Sequence, residues 1–231
     1  PFCKQKCTYC DFASYPKETG KAEAYFACLL KEISSRAEEL KSKTFDTVYI
    51  GGGTPSFVKP EFIAAVLNKV RSRFNIAENP EITIEMNPGT VDERKIDIYK
   101  RAGVTRFSVG LQSASDKRLL SLNRIHTRAD FEDVCKLLKG ENFSADVMLG
   151  LENQKNDEIK DTIDLAVNGG AKHISVYALQ PEEGTPMFGK YLNGDLPGAD
   201  ETADMYDFAR NYLNSLGFER YEVSNFAKPG Y

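Results

Sequence analysis

The sequence holds no surplus of positive charge: 30 Lys and Arg stand against 34 Asp and Glu, a formal net charge of −4. Nucleic-acid binding calls for a basic face, so this balance gives no reason to expect it. No apolar run approaches the roughly 20 residues that a membrane-spanning helix needs. No signal-peptide pattern precedes the first cysteine, which makes a reduced, cytoplasmic setting the expectation and leaves peripheral membrane contact open. No internal repeat, low-complexity tract or linker interrupts the chain. Cysteine is scarce and odd in number, five in 231 residues, which argues against a disulfide framework. A chain of this length can build a substantial core without such staples.

The cysteine that is present clusters. Cys3-Lys4-Gln5-Lys6-Cys7-Thr8-Tyr9-Cys10 has the spacing C-x3-C-x2-C. Three thiolates on one short loop can hold three corners of an iron–sulfur cluster, and a [4Fe–4S] cluster ordinarily takes four cysteines. Three leave one iron open to a substrate or cofactor. Radical chemistry with S-adenosylmethionine (SAM) uses such a vacancy, which the methionine amine and carboxylate chelate. The competing arrangement is a structural zinc completed by Asp11 or a distant histidine. Such sites usually show a second cysteine or Cys/His pair; here there is none, and His126 and His173 are far away in sequence. Cys28 and Cys135 stand alone in helical patterns and are expected as buried core thiols.

Hydrophobic periodicity alternates between two and 3.6 along the chain. Strands are expected over 47–50, 82–86, 106–109, 145–149 and 173–177. Helices are expected over 21–40, 59–74, 92–102, 115–122, 127–139, 156–168 and 199–216. This alternation implies βαβ units and a parallel sheet. Five strands, with a sixth expected before Pro1, are too few for a closed eight-stranded barrel, and an open partial barrel and a doubly wound sheet both fit. Both ends read as cut, since Pro1 is no start methionine and the chain stops at Tyr231 without a terminating pattern. Residues 221–226 read as a strand of a following region. The expected division is one α/β domain over 1–217 and the start of a C-terminal extension over 218–231.

The cysteine spacing, followed by aromatic residues, resembles the signature of the radical SAM superfamily. Further blocks resemble one branch of it, the oxygen-independent coproporphyrinogen III oxidase group with its relative, the haem chaperones. They include Tyr49-Ile50-Gly51-Gly52-Gly53-Thr54-Pro55-Ser56, Glu85-Met86-Asn87-Pro88-Gly89-Thr90 and Ser108-Val109-Gly110-Leu111-Gln112-Ser113. Leu122-Asn123-Arg124-Ile125-His126, Asp146-Val147-Met148-Leu149-Gly150-Leu151 and Ser224-Asn225-Phe226-Ala227-Lys228-Pro229-Gly230-Tyr231 follow in order. The sequence departs from the family at Glu152, where Gly-Leu is usually followed by proline.

The resemblance implies an open, partial TIM-type barrel with a radical SAM core, truncated at both ends. It implies a [4Fe–4S] cluster on Cys3, Cys7 and Cys10. It places SAM against Gly52, Gly53, Thr54, Glu85, Gln112, Arg124 and Asp146, each at or just past the end of an expected strand, where ligands bind in such sheets. The glycine turn is no phosphate loop, lacking the Gly-Lys-Ser/Thr ending; its carbonyls suit the methionine ammonium. Arg124 offers a fork for the methionine carboxylate. Glu85 suits ribose hydroxyls, Gln112 can donate and accept, and Asp146 would complete the polar ring. Tyr9 and Phe12 are expected to flank the cluster, His126 to be a solvated or capping residue and His173 a structural one. Glu182-Glu183-Gly184-Thr185-Pro186 reads either as a surface turn or as a loop on the substrate side.

Two activities fit this branch. A haem chaperone would hold cluster and SAM, bind haem and pass it to client proteins. An oxidase would decarboxylate two propionates of coproporphyrinogen III to vinyls. Both imply an electron donor. Cys10-Asp11-Phe12 carries no further cysteine where the oxidases resemble C-x3-C-x2-C-x-C, and this favours the chaperone.

Overall fold

The computed structural model describes residues 1–16 and 18–231. Five parallel strands carry the frame: β1 (Thr44–Ile50), β2 (Asn75–Met86), β3 (Arg106–Gln112), β4 (Phe143–Leu149) and β5 (His173–Ala178). Between and around them run α1 (Ala22–Leu40), α2 (Pro60–Arg73), α3 (Glu93–Ala102), α4 (Asp116–Ser121), α5 (Arg128–Leu137), α6 (Asn156–Asn168), α7 (Pro186–Leu192) and α8 (Ala199–Ser215). Two short strands, β6 (Glu219–Arg220) and β7 (Asn225–Ala227), complete the sheet. None of the described helices is long and apolar enough to cross a membrane.

The strands lie in the order β1-β2-β3-β4-β5-β7-β6. The parallel strands thus neighbour each other in chain order, with no reversal of winding. A doubly wound sheet needs such a reversal, so the fold is a curled, open half-barrel, the first of the two architectures that the periodicity allowed.

One face of the sheet is apolar and the other polar. Phe107, Val109 and Leu111 of β3, Ala145 and Val147 of β4, and Ile174 and Val176 of β5 are fully buried in one core beneath the helices. The residues between them, among them Ser108, Gly110, Gln112, Asp146, Ser175 and Tyr177, line a cavity on the concave side. In a strand successive side chains point to opposite faces, so this alternation is what opens a lumen.

Four expectations need correction. Cys28 is exposed, because the inward stripe of α1 runs through Ala22, Phe26 and Ala37 and passes it by; Cys135 is buried as expected. β2 begins at Asn75, well before 82, since Asn75 and Ile76 pair with Thr44 and Phe45, and cross-strand pairing outweighs weak local propensity. α7 is absent from the sequence reading; it is one short turn-rich element, with Pro186 in its first turn. The tail, read as one strand over 221–226, forms two short ones instead: β7 pairs antiparallel with β5 and β6 with β7. Burying Phe226 completely in the same core drives that return.

Candidate functional site

The concave face holds a cavity of about 500 Å³, open at the C-terminal ends of the strands. Cys3, Cys7 and Cys10 line it from the N-terminal loop. That loop is tied down by backbone hydrogen bonds from Thr8 N–H to the Leu122 carbonyl (3.1 Å) and from Met187 N–H to the Thr8 carbonyl (3.0 Å). Asn123 Nδ2 donates to the Lys6 carbonyl (2.7 Å). The end of α4 and the start of α7 therefore clasp the loop from two sides. On the third side Thr54 N–H donates to the Phe2 carbonyl (2.7 Å) and its hydroxyl to Cys3 Sγ (3.4 Å). A Cβ at Gly53 would lie 2.7 Å from that Phe2 carbonyl oxygen, so the close approach requires glycine.

Gly52, Gly53, Thr54, Glu85, Gln112, Arg124 and Asp146 line the same cavity. Glu85 accepts from the Tyr49 hydroxyl (2.8 Å) and from Gly52 N–H (3.0 Å), so the turn after β1 offers its Gly52 amide inward. Gly52 adopts φ of 115°, a conformation open to glycine. Gln112 is buried and strained, with φ of 69°, and accepts from the buried Tyr177 phenol. Such left-handed backbone at a non-glycine residue costs about 1 kcal/mol or more and clusters at functional sites.

Arg124 is fixed at three points. Its Nη2 donates to the Gly110 carbonyl (2.7 Å), and its Nη1 to Tyr9 Oη (3.3 Å) and Cys7 Sγ (3.7 Å). Burial works against the guanidinium charge, but its Tyr9, Cys7 and Tyr177 neighbours outweigh it and hold the group charged. Asp146 opens only towards the cavity. Burial, with the Glu85 charge adding, pushes its carboxyl up to about 7, against the pull of Arg124 and the Ser175 hydroxyl. Tyr9, Tyr49 and Tyr177 stay protonated, burial being the first cause in each.

A family model described as the radical SAM superfamily matches residues 1–166. The chain belongs to the radical SAM superfamily. Among curated relatives, it is 34% identical over 236 residues to the haem chaperone HemW of Buchnera aphidicola, and 36% identical over 235 residues to that of Escherichia coli. Each match covers all of this chain and 62% of the relative, so the chain spans about three fifths of their length. Its fold is similar to coproporphyrinogen III oxidase HemN of Escherichia coli, described as a radical SAM enzyme. That match has a TM-score of 0.88 at 21% identity and covers 100% of this chain and 54% of the other.

Radical SAM membership implies a [4Fe–4S] cluster and SAM, and the residues present fit both. The three thiols are free and share one cavity wall. They are close enough to influence each other: burial raises the Cys10 thiol, Cys7 and Cys3 raise it further, and the Phe12 amide and Lys6 oppose this. Among the described residues, no three His, Cys, Asp or Glu side chains are grouped to hold one metal ion. Asp11 is exposed. His173 Nε2 is paired with Tyr221 Oη (2.8 Å), as a structural residue would be.

His126 needs correction. It is neither solvated nor a cap but buried, with Nε2 on the Leu111 carbonyl (3.2 Å), and burial with Arg124 beside it pushes it down to about 4. The cap of α5 is Thr127, which forms a capping box with Asp130. Tyr9 and Phe12 both line the cavity beside the cysteine triplet, and Phe12 is largely exposed. Glu182 lines the cavity, so its turn borders the site. The sequence reading missed Tyr49, Tyr177, Arg106, Ser108, Ser175, Tyr221 and Asn225, which also line it. For the strand residues a signal existed: they occupy the alternate, polar positions of otherwise apolar strands.

Proposed function

We propose that this chain is the cofactor-binding part of a haem chaperone. The observation that carries this reading is Cys10-Asp11-Phe12, with no fourth cysteine beside the triplet. The HemW relatives support it at 34% and 36% identity along the whole chain, whereas the likeness to the oxidase is one of fold.

In this reading Cys3, Cys7 and Cys10 would hold a [4Fe–4S] cluster with three thiolates and leave one iron for SAM. The turn at Gly52, Gly53 and Thr54 receives the methionine ammonium, and Arg124 its carboxylate. Glu85 accepts from the ribose hydroxyls while Tyr49 holds it in place; Gln112 and Asp146 meet the same sugar from β3 and β4. Asp146, kept near neutrality, can act as donor as well as acceptor. Bound there, cluster and SAM supply one-electron cleavage of a sulfonium, the hard chemistry that the protein only positions. Haem is the cargo, a haem-binding protein the recipient, and the cytoplasm the setting.

The test is anaerobic reconstitution of the full-length protein, followed by two assays on the same preparation. One mixes it with haem and then with an apo haem-binding protein; the other supplies coproporphyrinogen III with SAM and a reductant. Haem uptake and transfer without vinyl products is the expected result. Accumulation of decarboxylated porphyrinogen would replace the chaperone by the oxidase.

A further inference from the structure

We propose that Arg124 sets the reduction potential of the cluster as well as orienting the cofactor. This rests on the cluster reading above and adds a role for one contact in it. Nη1 of Arg124 lies 3.7 Å from Cys7 Sγ and is oriented to donate to it. Reduction adds negative charge to the cluster and its thiolates. Hydrogen bonds to the sulfurs and nearby positive charge stabilise that state and raise the potential.

Three features make the contact more than a passing one. The guanidinium is permanently charged, and its protein partners are a carbonyl, a phenol and a thiol, none of them a carboxylate. Its charge is therefore not spent on an internal ion pair. The group is also held from behind: Nη2 sits on the Gly110 carbonyl at 2.7 Å, Nη1 shares the Tyr9 phenol, and Nε is buried without a partner. Finally, a Cβ at Gly110 would lie 2.7 Å from Nη2 and 3.1 Å from Gln112 Nε2. A side chain there would push the guanidinium away from its present position beside Cys7. Tyr9 and Gly110 are thus positioning residues for a charge aimed at the cluster loop.

The experiment is a redox titration followed by electron paramagnetic resonance on the reconstituted full-length protein, with no SAM present. At the wild-type midpoint, Arg124→Gln should show about a tenfold lower ratio of reduced to oxidised cluster, which corresponds to about 59 mV for a one-electron couple. Arg124→Lys should fall between the two. Gly110→Ala keeps the charge but moves it, and should shift in the same direction as Arg124→Gln. Equal midpoints for wild type and Arg124→Gln at equal cluster content would overturn the proposal. If Arg124→Gln assembles no cluster, Gly110→Ala decides in its place, an unmoved midpoint counting against the proposal. A wild-type protein that takes up no cluster would instead bring down the underlying reading.

Discussion

The half-barrel has a large cavity at each end of its strands, and they differ in an instructive way. The one at the strand starts is larger, about 1000 Å³ against about 500 Å³. Its walls come from the ends of α5 and α6 and the loops leading into β4 and β5. Yet its charges are mostly spent on each other: Arg128 pairs with Glu132 (3.2 Å) and Asp161 (2.8 Å), Asp164 with Lys160 (2.6 Å) and Glu141 with Lys100 (2.5 Å). At the other end Arg124 makes no direct ion pair among the described residues, Asp146 holds a raised carboxyl, and Gln112 sits in a strained backbone. Volume follows the packing of helices, whereas chemistry follows groups left with unspent charge or geometry. The smaller cavity is the candidate site.

The largest expected break in this contrast is Cys7→Ala. It should abolish the cluster absorbance of the reconstituted protein, while fold, followed by circular dichroism, persists; retention of full absorbance would remove Cys7 from the ligand set. Next comes Asp146→Asn. The unfolded carboxyl titrates near 3.8 and the folded one at about 7, so the folded state keeps a proton between those values. Stability therefore falls as the pH rises through that window, and the cost is complete above about 7. Asp146→Asn should be the more stable protein at pH 8, by up to about 4 kcal/mol, with the gain shrinking towards pH 4 and SAM affinity reduced. Urea unfolding at several pH values checks this, and a pH-independent difference would count against it. The smallest effect belongs to the other end: Arg128→Ala breaks only half-exposed pairs and should cost within about 1 kcal/mol, with SAM binding by calorimetry unchanged. A loss of SAM affinity there would mean the two ends are coupled.

Much of the site was readable because it sits where strands stop. Glu85 and Gln112 close apolar runs, and the cysteine spacing is local, so each could be placed without knowing the fold; Asp146, read as the end of its strand, instead sits in the middle of β4. What escaped depends on contacts between distant segments. Nothing near Tyr177 in sequence says that its phenol meets Gln112, and nothing near Tyr9 says that it supports Arg124. His126 looked solvated or capping because it follows Arg124 in a stretch leading from loop to helix, but it is buried against β3, where the Leu111 carbonyl accepts from it. The architecture was less legible. Phe107-Ser108-Val109-Gly110-Leu111-Gln112 alternates apolar and polar although β3 is buried on both faces, so the strand order, and not the alternation, separates an open barrel from a doubly wound sheet.

The antiparallel return of β7 has one more consequence. A parallel sheet grows like a polymer, each outer strand offering its free edge as template for the next. Here the growing end is capped: β7 runs against β5, and beyond it β6 contributes only Glu219 and Arg220. β6 therefore offers only a two-residue edge for further pairing. Tyr221 and Asn225, beside that edge, border the cavity, so the return that covers β5 also supplies part of the cavity wall.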